Sequence, residues 1–211
     1  MNRNKRAPSE VHNDQRTAIL AKSEALFAGR GFPSTSMNDV AEASGLSKAT
    51  IYHYFSDKEE LLQTIAETHV SRLLAVVKLV EREDYPPDER LRQLILGFMR
   101  EYETAHDAHR VLTEDVRFLE SGARAAILAK ERKVVAAFAN ALAAIRPELR
   151  SAKLDKPLTM FLFGMINWMF TWVDAKGPLS YEDMAELVTD LFFGGFSQVH
   201  HGRQPGKENP K

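Results

Sequence analysis

Apolar residues in this chain recur every three or four positions almost from end to end, and nowhere do they alternate over a run long enough for a strand. A 3.6-residue period buries a stripe along a helix, so the chain must fold as helices packed on helices, an all-α class. Glycine and proline punctuate the pattern: Gly29 and Gly31 before Pro33, then Gly45, Pro86–Pro87, Pro147 and Gly177–Pro178. The spacing predicts a first helix from about Asp14 to Arg30, with Ile19, Ser23, Leu26 and Phe27 inward. Two short helices follow, 36–44 and 47–55, the first opened by Ser36 and Asp39 at capping-box spacing. Ser56 and Glu59 have the same kind of spacing and predict the start of a helix of five turns or more. Four further helices carry Leu91 to Tyr102, Leu112 to Leu119, Ile127 to Ile145, and the apolar segment after Asp155. A last one is capped by Ser180 and Asp183, giving about nine helices in all.

With 211 residues the chain can bury a large core. It has no cysteine, which excludes a disulfide scaffold, a thiol nucleophile and a thiolate metal site. The 28 basic and 29 acidic residues leave a formal charge of −1, so nucleic-acid binding would have to come from local geometry. Residues 1–13 read as a flexible basic arm with Arg3, Lys5 and Arg6, without a secretion signal, and 199–211 as a disordered tail. The run 157–173 is almost wholly apolar but short, and it contains Pro157, Gly164 and Asn167; it reads as a buried helix, not a membrane span. A cytoplasmic protein without a membrane anchor is expected.

Two short helices joined by a glycine turn form the pattern of a helix-turn-helix. Ile51 and Phe55 of the second helix face inward, leaving Lys48, Thr50, Tyr52, His53 and Tyr54 mostly outward. Lysine neutralises phosphate or donates to guanine, and hydroxyls bond phosphate oxygens. Ser47 stands where backbone N–H groups face an anion, and Lys58 follows in the next helix's first turn. The same periodicity also fits a small helical hairpin with packed aromatics. Residues 1–58 hold eight Lys/Arg and six Asp/Glu, a balance of +2 that does not separate the two readings.

The stretch TSMNDVAEASGLSKATIYHYFSDKEELL, residues 35–62, resembles the DNA-binding signature of the TetR family of transcriptional regulators. The resemblance implies a three-helix head at 14–58 and a larger effector-binding and dimerisation body at 59–198. By position, Lys48, Thr50, Tyr52, His53, Tyr54 and Lys58 should touch DNA, with Thr35, Ser36 and Ser47 on phosphate. Ala49 can offer a base only its methyl group. A two-fold dimer would read a pseudo-palindromic operator, with half-sites about 34–36 Å apart. Phe163, Ile166, Phe170, Leu187, Leu191 and Phe192 are its candidate contacts.

The segments VLTEDVRFL (111–119), KERKVVAAFANAL (130–142) and 155–196 resemble regulators of aromatic-acid catabolism, PaaR-type repressors of phenylacetate degradation in particular. That resemblance implies an acyl-CoA effector, phenylacetyl-CoA foremost. An aryl group wants an aromatic slot, for which Phe98, Tyr102, Phe138, Trp168 and Trp172 are candidates. The CoA phosphates want Arg72, Arg110, Arg117 or Lys133. The alternatives are another hydrophobic effector, or an all-helical enzyme or interaction module.

No catalytic motif is present, neither G-x-S-x-G, nor a glycine-rich phosphate loop, nor H-E-x-x-H, so no enzyme and no cofactor are expected. His106 and His109, three apart, could share a helix face and hold a divalent ion with Glu103 or Asp107. A helix-end dipole accounts for histidine there as well, and no metal is expected.

Overall fold

The computed structural model describes residues 8–173 and 177–199. Among these there is no strand; there are ten α-helices and two 3-10 turns. They group into two compact units, the first from Met1–Arg72 with Ala105–Lys130, the second from Leu73–Thr104 with Glu131–Lys211. This grouping places residues 105–130 with the N-terminal helices, where a simple cut after residue 58 would not.

The first unit contains α1 (Pro8–Arg30), α2 (Met37–Ser44), α3 (Lys48–Tyr54), the start of α4 (Lys58–Arg82), α6 (His106–Glu114), a 3-10 turn (Val116–Phe118) and the start of α7 (Ser121–Ile145). Helix α1 begins at Pro8, six residues before the expected Asp14. Proline is preorganised for a helix's first turn, and the polar residues after it are good enough helix formers to continue. Arg3, Lys5 and Arg6 lie outside the described residues. Helix α1 ends where Gly31 turns to φ +83° and its N–H donates to the Phe27 carbonyl.

Gly45, at φ +65°, makes the turn between α2 and α3. Its N–H and that of Leu46 donate to the Glu42 and Ala41 carbonyls, both at 3.0 Å. Nothing lies within 4 Å of where a Cβ would be, so the backbone's handedness and not space calls for glycine here. The Ser36–Asp39 capping box forms as expected. The one at Ser56 does not: α4 is opened by Asp57, which accepts the Glu60 N–H at 2.8 Å, while Glu60 reaches back to the Ser56 N–H at 2.7 Å. Aspartate is as good an N-cap as serine and stands one residue closer to the helix. Ile19, Phe27, Val40, Ile51, Phe55, Leu61 and Leu62 form the unit's core.

The second unit contains the end of α4, α5 (Pro87–Thr104), the end of α7, α8 (Glu148–Ser151), α9 (Asp155–Ile166), a 3-10 turn (Met169–Thr171) and α10 (Tyr181–Phe196). Phe98, Tyr102, Phe138 and Phe163 make its aromatic centre, with Phe98–Phe138 and Phe138–Phe163 centroids both 4.9 Å apart. Burying each phenylalanine is worth roughly 1.5–3 kcal/mol relative to exposure. The apolar segment does not run as one helix to Val173. It breaks after Ile166, where the Asn167 Oδ1 accepts the buried Tyr102 hydroxyl at 2.7 Å. The Ser180–Asp183 capping box opens α10. No helix among the described residues is long and apolar enough to cross a membrane. His200 and His201 lie outside the described residues.

Candidate nucleic-acid interface

Helix α3 buries Ile51, and Phe55 follows in its C-cap. That leaves Ser47, Lys48, Ala49, Tyr52 and His53 exposed, with Thr50 and Tyr54 half-buried. The Ser47 hydroxyl accepts the Thr50 N–H at 3.1 Å and lies 2.8 Å from the Thr50 hydroxyl. Both hydroxyls therefore serve the helix cap first.

One rim of α3 closes a groove of about 480 Å³ against the start of α2. Thr35, Ser36, Lys48, Tyr52 and Lys58, all expected at DNA, line it together. The Lys48 ammonium lies 5.8 Å from the Tyr52 ring centroid. Thr35 departs from its expected role. It is buried, its hydroxyl donates to the Gly31 carbonyl at 3.0 Å, and its N–H donates to the Phe32 carbonyl at 3.3 Å. Closing the loop after α1 consumes both of its donors. Ser36 gives its N–H and hydroxyl to the Asp39 carboxylate, and those two bonds hold Asp39 below the usual aspartate range. Lys58 is tied down too: its ammonium donates to the Phe32 carbonyl at 2.8 Å and sits 4.3 Å from the Phe32 ring centroid.

The other rim of α3 meets α1. His12 stacks on Tyr54, centroids 4.6 Å apart and planes 26° apart, and stands edge-on to His53 at 6.0 Å. Sequence reading missed His12 because it lies in the stretch taken for a flexible arm. Phe32 was missed as well. Besides Lys58, it receives Phe27 at 5.3 Å and Phe118 at 5.7 Å, and its N–H bonds Asp115, whose carboxyl is nonetheless pushed up by burial. The 111–119 segment thus packs on the loop between α1 and α2, which explains its place in the first unit.

His69 and His109 meet inside the same unit, Nε2 to Nδ1 at 3.2 Å, both buried. Burial, then His109, then Arg72 push the basicity of His69 down to about 3. Of the metal candidates, His109 therefore faces His69, whereas His106 faces Asp107 at 3.3 Å. A kink at Ala105 starts a new helix between Glu103 and these histidines. The described residues hold no group of three or more metal ligands.

The effector candidates divide between the units. Phe98, Tyr102, Phe138, Lys133, Trp168 and Trp172 belong to the second; Arg72, Arg110 and Arg117 belong to the first. Arg110 pairs with Glu114 at 3.2 Å, and Arg117 lies over Phe118 at 4.8 Å. Phe98, Tyr102 and Phe138 are gathered in the buried aromatic centre, where burial holds the Tyr102 hydroxyl firmly protonated. The tryptophans do not join them: Trp168 is 55% and Trp172 61% exposed. Both flank the 3-10 turn beyond α9, which buries Met169 and Phe170 and leaves the two tryptophans outside, continuing the outward stripe that Phe161 and Gly164 begin on α9.

The same stripe corrects the dimer candidates. Phe163, Ile166, Phe170 and Phe192 are buried within their own chain. Leu187 and Leu191 are exposed, Leu191 by 70%, as are Met160 and Phe161. A helix apolar all round does not announce which face turns inward.

Comparisons with known proteins agree with this architecture. Residues 19–65 match the model of bacterial regulatory proteins of the tetR family, and residues 84–196 match the tetracyclin repressor-like C-terminal domain. A TetR-family transcriptional regulator from Bordetella parapertussis, known from its crystal structure, is 34% identical. Its match covers 89% of this chain and 98% of that one, with a TM-score of 0.83. The transcriptional repressor KstR2 of Mycobacterium tuberculosis is 23% identical over 88% of this chain and 94% of its own. The fold is shared with AibR, whose structure was determined with isovaleryl coenzyme A and operator DNA. There the TM-score is 0.72, at 23% identity over 84% of this chain and 97% of AibR. With a helix-turn-helix head and a matched C-terminal domain covering over half its length, the chain belongs to the TetR family of DNA-binding transcriptional regulators.

Proposed function

We propose that this regulator is a homodimeric repressor that binds a pseudo-palindromic operator and is released by an acyl-CoA thioester, phenylacetyl-CoA foremost. The observation that carries the DNA part is the groove uniting Lys48, Tyr52 and Lys58 with the α2 start, beside an exposed Ala49. Residues 14–58 supply the head, in which Lys48 and the Tyr52 hydroxyl meet phosphate and the Ala49 methyl faces a base edge. Thr50, His53 and Tyr54 support or extend that contact. Ser36 and Lys58 meet phosphate by exchanging their present partners for it.

Dimerisation falls to the outward stripe of α9 and α10, on Phe161, Trp168, Leu187 and Leu191. An exposed apolar surface of this kind wants a partner, and two heads are needed to read enough base pairs. Residues 59–198 take the effector, with the aryl group among Phe98, Tyr102 and Phe138. Two facts support a CoA thioester: the resemblance of 111–196 to regulators of aromatic-acid catabolism, and the isovaleryl coenzyme A held by AibR. Release works by population shift. The effector favours a spacing of the two heads that no longer fits successive major grooves, so DNA and effector weaken each other reciprocally.

The test is fluorescence anisotropy of the protein on its upstream DNA with phenylacetyl-CoA, isovaleryl-CoA, phenylacetate and free coenzyme A. Release by phenylacetyl-CoA alone supports the full reading. Release by isovaleryl-CoA instead replaces the acyl group. Release by phenylacetate alone discards the thioester.

A further inference from the structure

The groove rim of α3 carries the expected Lys48, but on the opposite rim His53 and Tyr54 meet a residue from outside the helix-turn-helix signature. Helix α1 starts early enough to bring His12 over the end of α3. There its ring stacks on Tyr54 at 4.6 Å and stands edge-on to His53 at 6.0 Å, while His53 meets Tyr54 at 5.5 Å and 82°. His12 and His53 are both exposed, so neither ring is needed to fill the core. Two imidazoles this close repel each other when both are protonated, and nothing acidic on α3 compensates them, since its residues are KATIYHY. The titratable groups facing His12 from α3 are His53 and Tyr54. On α1 the residue one turn on is Arg16, whose guanidinium lies 4.7 Å over the Phe55 ring and adds a further positive charge to this end of the head. Helix α6, which also packs on α1, brings its Asp107 beside Glu24, three turns farther along. The α3 side of the cluster therefore carries no negative charge and is built from groups that donate N–H and O–H bonds, while the nearest described acid on α1 is Asp14, two residues along that helix from His12.

We propose that His12 is a phosphate-contacting residue of the operator interface, closing with His53 and Tyr54 an anion site on the rim of α3 opposite Lys48. The inference rests on the reading that α3 faces DNA. A phosphate there lies within reach of both imidazoles and offsets their mutual repulsion. An anion at this site favours a charged imidazole over a neutral one, so operator binding and proton uptake are linked there. Stacking on Tyr54 fixes the imidazole plane and leaves its ring nitrogens at the edge, free to donate.

The experiment uses the full chain and the duplex that the wild-type protein recovers from a random-site selection. Anisotropy titrations are run over a salt series at pH 6.0 and pH 8.0, on wild type, His12→Ala and His12→Gln. Wild type should bind more tightly at pH 6.0, with a salt slope steeper by about 0.9, one phosphate's worth of counterion. His12→Ala should lose about tenfold at pH 6.0 and little at pH 8.0, and lose that extra slope. His12→Gln keeps a neutral donor, so it should bind like wild type at pH 8.0 and fall behind at pH 6.0. Circular dichroism confirms that both variants remain folded. Unchanged affinity and slope in both variants overturn the proposal, as does an equal loss at both pH values with the slope intact, which marks His12 as packing only. Failure of the wild type to select any duplex overturns the DNA-binding reading instead.

Discussion

The exposed side of the helix-turn-helix and the exposed side of α9 and α10 are both uncovered surfaces, but they are made from opposite chemistry. On the first, the side chains left outside are Ser36, Lys48, Tyr52 and His53, and capping bonds fix the helix ends around them. On the second they are Met160, Phe161, Trp168, Leu187 and Leu191. A surface of donors and cations asks for an anion; one of large apolar groups asks to be removed from water. On the proposed reading the contrast separates nucleic-acid recognition from self-association within one chain, and each surface can be broken without touching the other.

The largest effect should come from the apolar side. Phe161→Glu combined with Leu191→Glu places charges where α9 and α10 are expected to meet a second copy. Neither residue fills its own unit's core, so helical content should persist. Sedimentation velocity should show a monomer, and operator affinity should fall by about 100-fold or more, because half of the contacts lose their tether. A variant that stays dimeric would move the interface to another face.

On the polar side, Lys48→Ala should cost about tenfold in operator affinity and flatten the salt dependence by about one counterion, measured by the same titration. Lys58→Ala should behave differently despite lining the same groove. Its ammonium is bound to the Phe32 carbonyl, so part of the effect should appear as about 1–2 kcal/mol of lost stability in urea. If both lysines act only on affinity, the Phe32 contact is incidental.

The head was far more legible than the body. Short helices need explicit caps and a glycine turn, and those leave letters in the sequence: Ser36 with Asp39, Gly45, then Ser47. The outward positions of α3 followed from that pattern, whereas Thr35 turned inward, its hydroxyl finding a carbonyl inside the loop. In the body the helices were legible but their facing was not. Within 157–173 nearly every residue is apolar, so periodicity could not tell Phe161 from Phe163, or place Trp168 outside. Contacts that join distant segments, such as Phe32 with Asp115 and Phe118, carry no local signal at all.

The interiors differ as the surfaces do, and pH exposes that difference. The first unit buries His69 against His109; the second buries the neutral Tyr102–Asn167 pair. The basicity of His69 is pushed down to about 3 from the usual 6.5, so the folded chain refuses a proton that the unfolded chain accepts. Its contribution is whole above pH 6.5 and is lost as pH falls from there toward 3. By pH 5 the loss should reach about 2 kcal/mol, seen as a falling urea midpoint. Hydrogen exchange should quicken first where α4 and α6 meet. His69→Gln should flatten this acid limb; an unchanged limb would assign acid sensitivity elsewhere.

The smallest effect is the sharpest control, because the chain carries the same capping box twice. Ser36 with Asp39 opens α2 and Ser180 with Asp183 opens α10, each with the reciprocal pair of bonds. Replacing either serine by alanine removes one cap acceptor and should cost about 1 kcal/mol of stability. If a capping box only holds a helix end, the two variants should be indistinguishable on DNA. The groove lined by Ser36, Lys48 and Tyr52 argues otherwise. Ser36→Ala should also weaken operator binding by about two- to fivefold, since phosphate loses a hydroxyl partner worth about 0.5–1 kcal/mol. Ser180→Ala should leave that affinity alone. Equal affinities for the two variants would make Ser36 a helix cap and nothing more, leaving Lys48 and Tyr52 to carry that rim of the interface.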